Sequence, residues 1–192
     1  MSDPTGVVIC GAAGRMGRML VALVTERPGL RVVGALEAPG HPAVGADAGV
    51  LAGTGALGVA VASDLAAICR REHVVVDFTV PAATLAHARL AAAAGAGLVI
   101  GTTGLSADED RELRRLASTT RAVIAANYSV GVTVLTELVT HAARLLGEGF
   151  EAEIVEIHHH HKTDAPSGTA LALGRALAAA RGQDFEAVRV LG

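Results

Sequence analysis

The chain of 192 residues is poor in cysteine, in net charge and in long unbroken apolar runs, and each shortage removes a class of protein. Its two cysteines, Cys10 in an apolar run and Cys69 in a helical pattern, read as reduced core residues and not as a disulfide framework. A formal net charge of -3 leaves no electrostatic footprint for nucleic acid or an anionic membrane surface. The longest apolar stretch, around residues 85–100, is broken by His87, Arg89 and glycines, so no segment is expected to span a bilayer. The opening residues 1–6 are polar and do not resemble a secretory leader, so the expected location is the cytoplasm. There is no internal repeat and no low-complexity linker. What is present is a hydrophobic content of 51% with 18% charged residues, the composition of a globular chain able to bury a core.

Strand and helix patterns alternate from the start. Residues 6–10 (GVVIC) form a short β-branched run ended by glycine, and residues 16–26 carry apolar side chains at helical spacing up to Pro28-Gly29. Residues 30–37 read as a second strand, and 39–58 as a glycine-rich loop with one helical turn. Strands at 59–63, 73–79, 98–101 and 122–127 alternate with helices at 64–71, 81–94 and 106–119, the last opened by a Ser106–Glu109 capping box. This rhythm predicts a Rossmann-like, doubly wound parallel sheet over residues 1–127. A long helix at 130–147 and one long alternating strand at 150–161 then change the pattern. Residues 128–192 are therefore assigned to a second, partial α+β domain of mixed sheet, with a further strand starting at VRVLG.

Between the first strand and the first helix lies GAAGRMG. Gly11 allows the tight turn, Gly14 the close approach of a pyrophosphate, and Gly17 the packing of helix on sheet. The spacing is G-x-x-G-x-x-G, so the simple dinucleotide fingerprint is met in part. Its place at the first strand–helix junction strengthens it, as does Glu37 at the end of the second strand, where a carboxylate can accept from ribose hydroxyls. Ala38 follows, with no adjacent arginine for a 2′-phosphate, which predicts NADH in preference to NADPH. Three more strand ends, Asp77-Phe78-Thr79, Gly101-Thr102-Thr103-Gly104 and Ala125-Ala126-Asn127-Tyr128, fall where open α/β sheets bind ligands.

The segment EIHHHHKTDAPSGTA follows in the second half. On a strand, His158 and His160 share one face and His159 and His161 the other, so each face offers only two imidazoles and no metal is expected. A solvated edge of histidines leaves Lys162 and the turn after it unexplained. A chemical reading takes in all of them: histidine exchanges a proton near neutrality, Lys162 adds a fixed cation, and Ser167, Gly168 and Thr169 open a helix whose N–H groups suit a carboxylate.

Together and in this order, GAAGRMGR, DFT ahead of a proline, GTTG, AANYSVGV and HHHHKTDAPSGTA resemble the 4-hydroxy-tetrahydrodipicolinate reductase (dihydrodipicolinate reductase) family of lysine and diaminopimelate synthesis. The resemblance runs from residue 7 to about residue 174. It implies a nicotinamide-binding Rossmann domain followed by a mixed-sheet domain that builds a homotetramer. It implies NAD(P)H-dependent reduction of a cyclic dicarboxylate, with His158 as proton donor assisted by Lys162. His159, Lys162, Ser167, Gly168 and Thr169 then hold the substrate. Gly11, Ala12, Ala13, Gly14, Arg15, Met16, Glu37, Gly101, Thr102, Thr103, Ala125, Ala126, Asn127 and Tyr128 contact the cofactor. His160 stands where family members often have arginine, and Thr133 where asparagine is usual. The resemblance also implies further strands beyond residue 192, so by this comparison the chain is short at its C-terminal end. Two other classes fit parts of the sequence: a nucleotide-binding protein without turnover, and a metal-binding module built on the histidines.

Overall fold

The computed structural model describes residues 3–158, 160 and 165–191. It divides into two compact units, Met1–Ala125 and Ala126–Gly192.

The first unit is built on strands whose β-branched residues face apolar neighbours on both sides. In β1 (Thr5–Cys10), five successive residues are buried, because a parallel strand between two helix layers has no wet face. Strand alternation sorts these side chains into two cores. Val7 and Ile9 point to one side, joining Val21 and Val24 of α1 (Arg15–Glu26), Val32 and Ala35 of β2 (Leu30–Leu36) and Ala48 of α2 (Ala48–Ala52). Val8 and Cys10 point to the other side. There they meet Leu65 of α3 (Leu65–Ile68), Leu85, Ala88 and Ala91 of α4 (Pro81–Ala94), and Leu113 and Leu116 of α5 (Ala107–Ala117). With β3 (Val61–Ala62), β4 (Val74–Asp77), β5 (Gly97–Ile100) and β6 (Ala122–Ile124), the strands form one six-stranded sheet in the order β3-β2-β1-β4-β5-β6. Every strand pair within it is parallel. The chain winds outward from β1 in one direction and from β4 in the other, so the order reverses between them. Ligands of such sheets bind at the strand C-termini beside this reversal.

Most boundaries follow local chemistry. α4 has Pro81 in its first turn, where a missing N–H costs nothing, and ends at Gly95 in the left-handed region. The Ser106–Glu109 capping box is formed in both directions. The short helix in the glycine-rich loop is fixed by Asp47, whose carboxylate accepts from the N–H groups of Gly49, Val50, Leu57 and Gly58. β3 and α3 are shorter than their sequence patterns suggest, because only residues 61–62 pair with β2 and only one turn of helix follows.

The second unit contains α6 (Val130–Leu146), a short 3₁₀ turn (Gly147–Gly149), α7 (Gly168–Ala180) and α8 (Phe185–Val188). Two sequence expectations fail here. Residues 150–158 alternate in character but lie in no ladder, and residues 189–191 follow a single helical turn instead of starting a strand. An alternating pattern fits a pleated surface; it does not supply the neighbouring strand that must accept its hydrogen bonds. Among the described residues no neighbour of that kind exists in this unit. Around Phe185 the packing is tighter, with the guanidinium groups of Arg175 and Arg189 5.3 and 5.7 Å from its ring centre.

Candidate functional site

The glycine loop follows directly from β1. Gly11 has φ of +66°, a conformation that side chains resist, and its carbonyl accepts the Gly14 N–H at 3.0 Å, which closes the turn. Gly17, in the first turn of α1, packs so near the loop that an added Cβ would sit 2.7 Å from the Ala12 Cα. The helix thus starts directly over the end of β1, with Gly14 as its N-cap and no side chain occupying that cap. Unbonded N–H groups at such a terminus attract phosphate. Ala12 is buried, whereas Arg15 and Met16 are exposed beside the loop.

Glu37, at the end of β2, faces this loop. Its Oε1 accepts the Ala13 N–H at 2.8 Å, while Oε2 has only a long 3.4 Å contact with the neighbouring Ala38 N–H. One carboxylate oxygen therefore holds the loop, and the other is only weakly engaged. Arg18 is tied down as well, since its Nε donates to the Ala13 carbonyl at 2.8 Å.

At the ends of β4 and β5 the structure brings together a cluster that the sequence analysis did not assemble. Asp77 is buried at 1% exposure and its carboxylate collects donors from three elements. Oδ1 accepts the Thr79 N–H at 2.9 Å, the Thr79 hydroxyl at 2.6 Å and the Thr84 hydroxyl at 3.0 Å. The Thr102 hydroxyl lies 3.4 Å from the same oxygen and 2.7 Å from that of Thr84. Oδ2 faces His87 Nδ1 at 2.6 Å. Burial alone would raise the Asp77 pKa, but the hydrogen bonds from His87 and Thr79 outweigh it and hold the carboxyl below its usual range. Thr84 and His87 stand three residues apart on α4 and so share one face, the signal from which the cluster could have been anticipated.

Cys10, Asp77 and His87 each place one potential metal ligand within 4.8 Å of the others. Burial, with the Asp77 carboxylate beside it, pushes the Cys10 thiol well above its ordinary value. Both Asp77 oxygens are already engaged by donors. The arrangement is a hydrogen-bond network.

Thr102 is buried at the centre of this network, whereas Thr103 beside it is exposed. Gly101 lies under the Phe78 ring, where any side chain would collide with it. Ala125 closes the first unit, its N–H donating to the Ile100 carbonyl at 3.1 Å. Ala126, Asn127 and Tyr128 belong to the second unit.

In that unit the Asn127 side-chain amide donates to the Thr169 hydroxyl at 3.0 Å, joining a candidate cofactor residue to a candidate substrate residue. Ser167 caps α7, its Oγ accepting the Ala170 N–H at 3.0 Å, and Gly168 begins the helix. Both donors of Ser167 are taken by Glu156, a residue the sequence reading did not single out: the N–H at 2.7 Å and the hydroxyl in a short contact. A carboxylate of the chain itself thus sits where the sequence reading placed a ligand carboxylate. His158 is about half exposed, with Nδ1 3.7 Å from Glu156 Oε2. His159 and Lys162 lie outside the described residues.

Two family models match the chain in succession, dihydrodipicolinate reductase N-terminus over residues 5–128 and C-terminus over residues 131–191. The 4-hydroxy-tetrahydrodipicolinate reductase of Anaeromyxobacter dehalogenans is 53% identical over 93% of this chain and 66% of its own length. That of Halorhodospira halophila is 49% identical over 97% of this chain and 70% of its own. The chain therefore spans about two thirds of the length of the curated relatives it matches. Among solved structures, dipicolinate-bound dihydrodipicolinate reductase from Paenisporosarcina sp. TG-14 superposes with a TM-score of 0.70 at 26% identity, covering 93% of this chain and 67% of that one. The amine dehydrogenase of Mycobacterium smegmatis gives 0.56 at 26% identity over 73% of this chain and 43% of its own. With both family models matched in order and relatives near 50% identity along nearly its whole length, this chain belongs to the dihydrodipicolinate reductase family.

Proposed function

We propose that the chain carries the nicotinamide site and the proton-donating segment of a reductase acting on 4-hydroxy-tetrahydrodipicolinate, in which hydride and proton are added and the 4-hydroxyl leaves as water, forming tetrahydrodipicolinate. The observation that carries this reading is the pairing of Glu37 with the glycine loop at the start of α1, in a member of this family. The loop fits a dinucleotide: Gly11 and Gly17 leave no side chain between the end of β1 and the helix terminus, and one Glu37 oxygen remains open. Gly11 to Met16 would hold the pyrophosphate, Glu37 the adenosine ribose, and the backbone of residues 101–103 and 125–128 the rest. Bound NADH or NADPH supplies the hydride.

The residues of the chain handle charge and the proton. Glu156 is anchored by Ser167 and stands beside His158 Nδ1, so the nitrogen across the ring, Nε2, is the one assigned to deliver the proton. Lys162 is assigned to offset developing negative charge, and His159, Ser167, Gly168 and Thr169 to hold the substrate carboxylates. For Ser167 to take part, Glu156 must yield its two hydrogen bonds to the incoming carboxylate. The solved relative is described as dipicolinate bound, which suits a site for a planar pyridine dicarboxylate. We assign the cofactor preference to NADH, the location to the cytoplasm and the assembly to a homotetramer. That assembly accords with the apolar side chains left exposed on α6. Among the described residues no helix is long and apolar enough to cross a membrane.

The test is NADH oxidation on adding the product of dihydrodipicolinate synthase, with dipicolinate as competitor and Lys162→Met alongside. Turnover inhibited by dipicolinate, with inhibition weakened in the lysine variant, supports the reading. NADH binding without consumption favours a second reading, a nucleotide-binding protein without turnover. That alternative gains weight from residues 150–158, which no ladder holds in place.

A further inference from the structure

Among the groups that the proposed chemistry does not use, Asp77 is the most completely built. Among the described residues it is the buried charged residue of the first unit, and its donors come from four residues, Thr79 at the β4 end, Thr84 and His87 on α4, and Thr102 in the loop after β5. An isolated carboxylate would cost several kcal/mol to bury, so its donors are a condition of the fold there. Their position matters more than their number. They join the two strand ends that lie beside the reversal of strand order, where residues 101–103 are read as cofactor contacts. The Gly101 N–H donates to the Asp77 carbonyl at 2.9 Å, and the Phe78 ring covers Gly101, so main chain and side chains hold the same two ends. The Thr102 hydroxyl is turned inward to Thr84 and Asp77, which leaves the loop only its backbone and Thr103 to offer outward.

We infer that Asp77, oriented by His87, is a positioning residue that locks the loop 101–104 onto the end of β4 through Thr84 and Thr102, so that the loop presents backbone to a dinucleotide. Thr102 accordingly acts through its inward hydroxyl and main chain, and its side chain does not touch the cofactor. This inference rests on the cofactor reading given above, and the experiment separates the two.

The full chain is compared with Asp77→Asn, Thr102→Val and Thr102→Ser by amide hydrogen exchange and by NADH binding, at a temperature where all remain folded. Asp77→Asn and Thr102→Val are expected to speed exchange in a peptide covering residues 98–104 at least ~10-fold, a loss of local protection. Peptides from β1 and β2 should keep their wild-type rates. The dissociation constant for NADH should rise about tenfold in both variants, and Thr102→Ser, which keeps the hydroxyl, should recover most of that loss. A role in stability alone would lower the melting temperature and leave the NADH constant of the folded protein unchanged; that result overturns the inference. If Asp77→Asn does not fold, Thr102→Val, which leaves the carboxylate in place, decides between the same outcomes. A wild-type chain that binds no NADH overturns the cofactor reading. In that case unchanged exchange at 98–104 in Thr102→Val still overturns the locking, and faster exchange upholds it.

Discussion

In the first unit Ile9, Leu98, Ile100 and Leu113 are fully enclosed; in the second, the most enclosed apolar side chains are those of Ala143 and Ala178. The second unit is not short of apolar residues. Leu138 and Leu145 of α6 are 62% and 74% exposed, and Ile157 is 93% exposed. Its helices α6 and α7 pack on each other through small side chains, and local contacts supplement that packing. Ser129, Ser167 and Asp184 cap α6, α7 and α8, and the hydroxyls of Thr133, Thr136 and Thr140 bond carbonyls one turn back. Such contacts shape a helix but stabilise it little, because most helical stability comes from burying one face. The difference separates two roles: the first unit holds the larger core beneath the candidate cofactor loop, and the second holds the candidate proton donor on a frame that leaves more of its apolar side chains exposed.

The largest effect that sharpens this contrast belongs to His158→Gln, which should lower kcat by roughly 10²–10⁴ as a lost general acid does. Because His158 is half exposed and outside any ladder, the urea midpoint should stay put. Steady-state kinetics and an unfolding curve on one preparation test both halves, and a shifted midpoint with intact kcat would reverse the assignment. Next comes Leu113→Ala, which opens a cavity in a filled core and should cost about 2–5 kcal/mol in urea unfolding. Its counterpart in the second unit, Val155→Ala, away from α6 and 85% exposed, should cost no more than about 0.5 kcal/mol. Equal costs would break the contrast.

A smaller effect concerns the cofactor. With one Glu37 oxygen fixed on Ala13 and the other open, a 2′-phosphate meets negative charge, so kcat/KM should favour NADH by about tenfold, or 1.4 kcal/mol. Parallel kinetics with both cofactors decide it, and NADPH at or above NADH sinks the argument from Glu37. The last effect changes the shape of a curve. Asp77 is held below the ordinary 3.8, so its contribution to stability is complete above that value and disappears as pH falls through the lower folded value. Asp77→Asn should flatten the acid limb of the stability–pH profile, and an unchanged limb would mean that other acids set it.

Legibility in the sequence followed the range of the interactions. The glycine loop and the Ser106–Glu109 box are complete within a few residues, so their patterns announced them. The Asp47 cap was hidden because half of its donors, Leu57 and Gly58, lie ten and eleven residues on. Asp77 meets Thr102 only after the crossover from β4 through α4 to β5 has brought the two strand ends together, and the three-residue spacing of Thr84 and His87 records only the α4 face of that cluster. Glu156 reaches Ser167 across the histidine segment in the same way. The strand expected at 150–161 failed for the opposite reason. Its alternation was plain, but pairing depends on a partner strand that a local pattern cannot show.

Both cysteines of the chain, Cys10 and Cys69, are buried in the first unit, and the second has none. Cys10 is the last residue of β1, and burial pushes its thiol well away from the reactive thiolate. At Cys10 a thiol-modifying dye should therefore react only when the sheet opens, at a rate fixed by that opening, whereas Cys69, at the end of α3, also reports fraying of that single helical turn; both are blind to fraying of α6 or α7. The protein thus carries its own stopwatch for the breathing of one half, with no engineered label needed.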